Sequence, residues 1–201
     1  MNDSLQTLDG CAGESTPRAA RAGAVAVDYV VRSTPDRPIV ANRAAAAALR
    51  RLSEMRRASK RLDAAYAGAV ALQLLVDSPW LESCTLNLTA ESAYNDEGGH
   101  NRSISVNAAD IKTVQEATFP TDIFNEGMFN EEEATAWIEE LVEDDDAALY
   151  CAFRSSDSYE DLALKVCRTA LADLLGQLRA NGAASGSAAF RALWPQDDHS
   201  M

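Results

Sequence analysis

The chain is poor in the residues that catalytic, metal-binding and membrane-spanning proteins rely on. Of its 201 residues, four are Cys and two are His. Cys11, Cys84, Cys151 and Cys167 stand singly, without a C-x-x-C pair, and His100 and His199 lie far from them in the chain. Zinc sites generally show paired ligands at short spacing, so no metal and no cofactor is expected. No apolar run approaches the roughly 20 residues of a transmembrane helix. The first 30 residues lack a basic patch followed by an apolar stretch, so no secretory signal is expected either. Cys84, Cys151 and Cys167, each within an apolar pattern, then read as small buried hydrophobes in a reducing cytoplasm.

Enzyme signatures are equally scarce. There is no phosphate-binding glycine loop followed by Lys-Ser/Thr, and no G-x-G-x-x-G after a strand. No G-x-S-x-G elbow and no H-E-x-x-H helix occur. A Cys84–His100 nucleophile pair is conceivable on paper, but Cys84 shares a strand face with Leu86 and Leu88, which should bury its thiol. Asp144-Asp-Asp146 and Asn95-Asp-Glu97 offer oxygen ligands, yet neither matches the calcium-loop pattern. They read as a solvated acidic helix end and a polar turn. No catalytic residue is assigned.

What the chain does have is a sufficient core and a marked separation of charge. Its 47% hydrophobic content and its length suit one domain that needs no disulfide or metal. Asp and Glu number 31 against 18 Lys and Arg, a formal charge of −13. Such a balance argues against a protein that coats nucleic acid or an anionic membrane. The excess is not uniform. Residues 1–75 hold 11 Lys and Arg against 7 Asp and Glu, whereas residues 76–201 hold 7 against 24. Arg43, Arg50, Arg51, Arg56, Arg57, Lys60 and Arg61 concentrate the positive charge in one segment.

The pattern along the chain predicts an α+β fold. Residues 1–23, small and polar, read as a mobile leader, and 24–181 as a single domain. Within it, 24–32 fits a short strand or a helix, and Ser33-Thr-Pro-Asp-Arg-Pro38 breaks it. A long helix is expected over 41–76, with Leu49, Leu52, Met55, Leu62, Tyr66, Val70 and Leu74 on one face. A break near Gly68 would shorten it. That apolar face is assigned to the core, and pairing with a second copy as a homodimer is its second assignment. Cys84, Leu86, Leu88 and Ala90, then Ile104, Val106 and Ala108, alternate with polar residues across a turn at 95–99. These mark a hairpin over 83–108. The apolar run 149–153 is expected to add a third, deeper strand.

Two further helices are expected. Asn130 reads as the N-cap of a helix over 131–145, burying Ala134, Trp137, Ile138, Leu141 and Val142. A second, over 158–180, would place Leu164, Cys167, Leu171, Leu174, Leu175 and Leu178 toward the core, with Asn181-Gly182 as its stop. The tail 182–201 carries a short apolar cluster, Phe190 to Trp194. It either docks on the domain or binds a partner.

The functional expectation rests on charge. Glu132, Glu133, Glu139, Glu140, Glu143, Asp144, Asp145 and Asp146 set carboxylates along one helix, with Glu82, Glu91, Asp96 and Glu97 on the hairpin nearby. Carboxylates about 5–10 Å apart on a helix imitate the spaced charge of a nucleic-acid backbone. The expected partner is therefore a basic protein, with a nucleic-acid-binding enzyme inhibited by DNA mimicry as one form. Phe124 and Phe129, interleaved with acids, are candidate anchors for the same contact. Three other assignments compete. The charges could compensate one another inside the molecule. A pocket near the 109–129 loop, lined by Asn125, Glu126, Asn130, His100 and Tyr150, could bind a small ligand or substrate. The basic stripe Arg43, Arg50, Arg57 and Arg61 could itself touch nucleic acid, against the overall charge.

Overall fold

The computed structural model describes residues 26–27, 29–31, 39–94, 100–115, 118–125, 128–155 and 157–195. The expected leader, the 33–38 break, the 95–99 turn, Cys11, Glu126 and His199 lie outside them. The chain divides into two compact units, residues 1–53 and 54–201.

In the first unit, β1 (Tyr29–Val31) and β2 (Ile39–Ala41) pair antiparallel, with Val30 opposite Val40. Asn42 follows directly and begins a helix. Its side-chain oxygen accepts the Ala45 N–H at 2.8 Å, and its amide donates to the Ala26 carbonyl at 2.8 Å. A side-chain acceptor for an otherwise orphaned N–H is what an N-cap supplies. The helix, α1, runs without interruption from Arg43 to Asp77. Its residues as far as Ser53 belong to this unit.

The second unit is built on a three-stranded antiparallel sheet. β3 (Leu81–Tyr94) and β4 (His100–Thr113) form the expected hairpin, and β7 (Leu162–Cys167) flanks β3 on the other side, giving the order β4-β3-β7. Between β4 and β7 come the two-residue strands β5 (Phe124–Asn125) and β6 (Met128–Phe129), α2 (Glu131–Val142), a 3-10 turn (Glu143–Asp145) and α3 (Asp146–Phe153). After β7 a 3-10 turn (Thr169–Leu171) leads to α4 (Ala172–Asn181) and α5 (Gly186–Leu193). The period-two reading of the hairpin holds. Leu86, Leu88 and Ala90 are buried, whereas Thr85, Asn87 and Thr89 are only half-buried. Leu86 lies opposite both Ala108 and Leu164, so the apolar face continues across all three strands. Near its open end the β3–β4 register shifts, and Asp110 takes φ 51° there. Asp tolerates this left-handed bulge conformation better than most residues.

Four expectations need correction. Residues 149–153 are helix, not strand, because five consecutive apolar residues carry no period and Ala147 and Ala148 extend them as good helix formers. The third strand is instead Leu162–Cys167, inside the segment 158–180 read as one helix. Leu164 and Val166 alternate with exposed Ala163 and Lys165, a period the overlapping 3–4 spacing to Leu171 had masked. The helix that remains, α4, does end as expected: Gly182 adopts φ 69° and donates its N–H to the Leu178 carbonyl. Third, although α1 runs unbroken through Gly68 as the helix over 41–76 requires, its apolar face is core only toward its end: Leu49, Leu52, Met55, Leu62 and Tyr66 are exposed, because nothing among the described residues covers them. Fourth, Leu141 is exposed rather than core.

Gly68 has a different use. A β-carbon there would run into the Gly186 carbonyl oxygen and the Phe190 backbone nitrogen, and one on Gly186 would meet the Ala65 carbonyl oxygen and Ala69. The two glycines therefore let α1 and α5 cross with their backbones in close contact. This crossing seats the apolar tail cluster. Phe153, Phe190 and Trp194 pack with ring centroids 5.1–5.4 Å apart, and the Trp194 indole donates to the Lys165 carbonyl at 3.1 Å.

The C-terminal end of α1 is tied down by one side chain. Arg168 donates to the carbonyls of Leu75 (2.6 Å), Ser78 (2.8 Å) and Leu81 (2.7 Å). Carbonyls at a helix end lack intrahelical donors, and a guanidinium offers five N–H groups in a fixed fork. Partial burial lowers the Arg168 pKa without removing its charge.

Candidate functional site

The acidic residues singled out in the sequence do fall together, on α2, the 3-10 turn after it and the start of α3. The local reason is legible: Asn130 caps α2 by accepting the N–H groups of Glu132 (3.2 Å) and Glu133 (3.4 Å). Glu131, Glu132 and Glu133 fill the first turn, where the helix dipole favours negative charge. Ala134, Ile138 and Val142 are buried, which turns Glu132, Glu133, Glu140, Glu143 and Asp144 outward as exposed side chains.

The remaining three carboxylates are engaged locally. Glu139 folds onto the sheet, where its Oε1 accepts from the Asn107 amide at 2.8 Å and from the Ala108 backbone N–H at 3.1 Å. β4 is an outer strand, so Glu139 covers a main-chain donor on an edge that would otherwise invite another strand. Asp145, half-buried, accepts the Tyr66 hydroxyl at 2.5 Å. That hydrogen bond, then the charge of Asp145, raises the Tyr66 pKa. Asp146, also half-buried, has its carboxyl pushed above the ordinary range by burial first. Glu143, Asp144 and Asp145 add to the shift, and a hydrogen bond from Ala147 opposes it. Beside it, Ile104, Val106, Glu139, Glu140, Glu143 and Asp146 line an open cleft of about 370 Å³ between β4 and α2.

The two phenylalanines assigned to the same contact differ from one another. Phe129 is half-buried against Trp80, ring centroids 6.4 Å apart, and against Phe119 at 6.3 Å. Phe124 stacks on Phe119 at 5.0 Å but remains 39% exposed. Phe124 is the aromatic with surface to offer; Phe129 belongs to the wall behind it.

The competing assignments meet specific obstacles. Tyr150, placed in the small-ligand pocket, is fully buried and donates to the carbonyls of Glu160 (2.6 Å) and Ser158 (3.2 Å). Asn130 is spent as an N-cap. The side chains of His100, Asn125 and Glu126 fall outside the described residues. Cys84 is buried, and burial pushes its thiol up to about 12, far from a reactive thiolate. Cys84, Cys151 and Cys167 are all free thiols. Among the described residues no cluster of three or more His, Cys, Asp or Glu side chains is placed to hold a metal. Among them, too, no helix is long and apolar enough to cross a membrane.

Sequence reasoning missed three contacts that shape this region: Glu139 with β4, Tyr66 with Asp145, and Arg168 with the end of α1. Each joins residues at least 30 apart in the chain, and no local pattern marks them. No family model matches the chain, and no curated protein sequence or solved structure shows significant similarity to it.

Proposed function

We propose that this is a non-catalytic acidic interaction protein. Its α2 ridge docks a basic protein partner, and the spacing of its charges suits DNA mimicry directed at a nucleic-acid-binding enzyme. The observation that carries the reading concerns the missing counter-charges. Among the described residues, none of the carboxylates from Glu131 to Asp146 makes an ion pair with Lys or Arg; the ion pair formed lies elsewhere, between Arg154 and Glu160 at 3.4 Å. Among the described residues, then, local compensation of the charge separation is not made through ion pairs at this ridge.

An uncompensated row of carboxylates on a rigid helix exerts a field that steers a basic partner and weakens with salt. Glu132, Glu140 and Glu143 extend along α2 at about 1.5 Å per residue, on the scale of phosphates along a duplex. Phe124 would add an apolar anchor near the rim. The test is affinity capture from host extract at about 50 mM and about 300 mM salt, within the range where screening changes strongly. A basic nucleic-acid-handling protein that is retained at low salt, released at high salt and displaced by duplex DNA supports the reading. Retention that is indifferent to salt contradicts it.

A further inference from the structure

A different surface carries an independent inference. Along α1, Met55, Ser59, Leu62, Tyr66 and Ala69 recur at alternating four- and three-residue steps, the spacing of a helix that pairs with another helix. In a soluble monomer such a stripe is normally covered. Here Met55 is 68% and Leu62 71% exposed, and Tyr66 is exposed beside them. Leu62, Asp63, Ala65, Tyr66 and Ala69 with Ala148 of α3 line a shallow, mostly apolar depression of about 560 Å³. It is wide enough to receive side chains from a neighbouring helix. Ala58 and Ala65, flanking the stripe, leave room for a close approach.

Charge on the flank identifies the occupant. Arg56 and Asp63 each follow a stripe residue by one position, Met55 and Leu62 respectively, so both lie on the same side of the stripe. Among the described residues neither forms an ion pair. We propose that two copies of this chain pair antiparallel through this stripe. Met55 of each copy packs against Tyr66 of the other and Ser59 against Leu62. That register brings Arg56 of each copy to within two residues, about 3 Å along the axis, of Asp63 of the other, two reciprocal pairs across one interface, as a twofold axis requires. A parallel pairing gives Arg56 no carboxylate at its own level, because Asp63 is seven residues, about 10 Å, farther along. The stripe is thus self-complementary in shape and charge in one orientation.

The experiment is sedimentation equilibrium on the full chain up to concentrations on the order of 100 μM, which reaches weak dimers. The expected mass is twice 21.6 kDa. Leu62→Glu, at an exposed position where the fold tolerates charge, should weaken association at least about 10-fold. Arg56→Asp and Asp63→Arg should each weaken it, and the double swap should restore it. Circular dichroism confirms that each variant is folded. A mass of one chain at every concentration overturns the proposal and leaves the stripe to an unrelated partner. So does a dimer unaffected by Leu62→Glu, or a double swap that fails to restore what the single swaps lose.

Discussion

Residues 54–66 and 67–77 belong to the same helix, yet their surroundings are opposite. The earlier stretch carries Arg56, Arg57, Lys60 and Arg61 and leaves Met55 and Leu62 in water. The later stretch has no Lys or Arg and buries Ala67, Val70, Ala71, Leu72, Leu74 and Leu75. Helix propensity and apolar spacing are properties of the chain itself, and they are satisfied in both stretches. Burial depends on what the rest of the chain brings alongside. Here α5 meets α1 around Ala65, Gly68 and Ala69, and the apolar residues beyond, Val70 to Leu75, join the core that holds Leu86, Leu88 and Leu164 of the sheet. The lesson is that a regular apolar stripe predicts a helix well and its burial poorly.

Substitutions can sharpen this contrast. Leu75→Ala, at a fully buried site, should cost about 2–5 kcal/mol, read as a lowered denaturation midpoint with an unchanged slope. Arg168→Ala strips the carbonyls of Leu75, Ser78 and Leu81, from the last turn of α1 to the start of β3, of their charged donor and should cost about 2–3 kcal/mol in the same assay. Gly68→Ala forces the α1–α5 crossing apart at a cost of about 1–3 kcal/mol. Release of α5 should also make the tail more sensitive to protease than the rest of the unit.

At the junction of the two stretches, Tyr66 reaches Asp145, and the next residue, Asp146, gives a pH signature. Its folded pKa lies above the unfolded value, so the native state holds this proton more tightly. Its contribution therefore weakens stability as pH rises from the ordinary carboxylate range through the raised folded value. Asp146→Asn should give a small gain in Tm at pH 7 that disappears once pH drops below that window. A difference that persists at low pH would mean burial is not the cause. The smallest effect is expected at Leu62→Ala, within about 0.5 kcal/mol of zero at concentrations where the chain is monomeric. A loss comparable to that of Leu75→Ala would break the contrast.

Much of the architecture was legible in the residues, for identifiable reasons. The alternation of Leu86, Leu88 and Ala90 with polar neighbours encodes a one-sided strand, and Asn130 and Gly182 are helix boundaries whose chemistry is local. Residues 149–153 and 162–167 were misassigned for the opposite reason. An unbroken apolar run has no period, and Leu164, Cys167 and Leu171 satisfy helical spacing even though the first two sit on a strand. The candidate site was legible as composition only. That Glu139 serves the β4 edge while Glu140 faces water depends on how α2 is rotated against the sheet, which composition does not specify.

The proposed contact depends on place as well as charge, so two variants of equal net charge test it. One variant carries Glu140→Lys, Glu143→Lys and Asp144→Lys, near the end of α2, where cations agree with the helix dipole and all three side chains are exposed. The other carries Glu54→Lys, Asp161→Lys and Asp173→Lys, also exposed but on α1, just before β7 and on α4 rather than on α2. Both change the net charge equally. With the salt-sensitive partner captured from extract, the first variant should lose it at about 50 mM salt and the second should retain it. Equal loss or equal retention by the two would contradict a binding surface on α2.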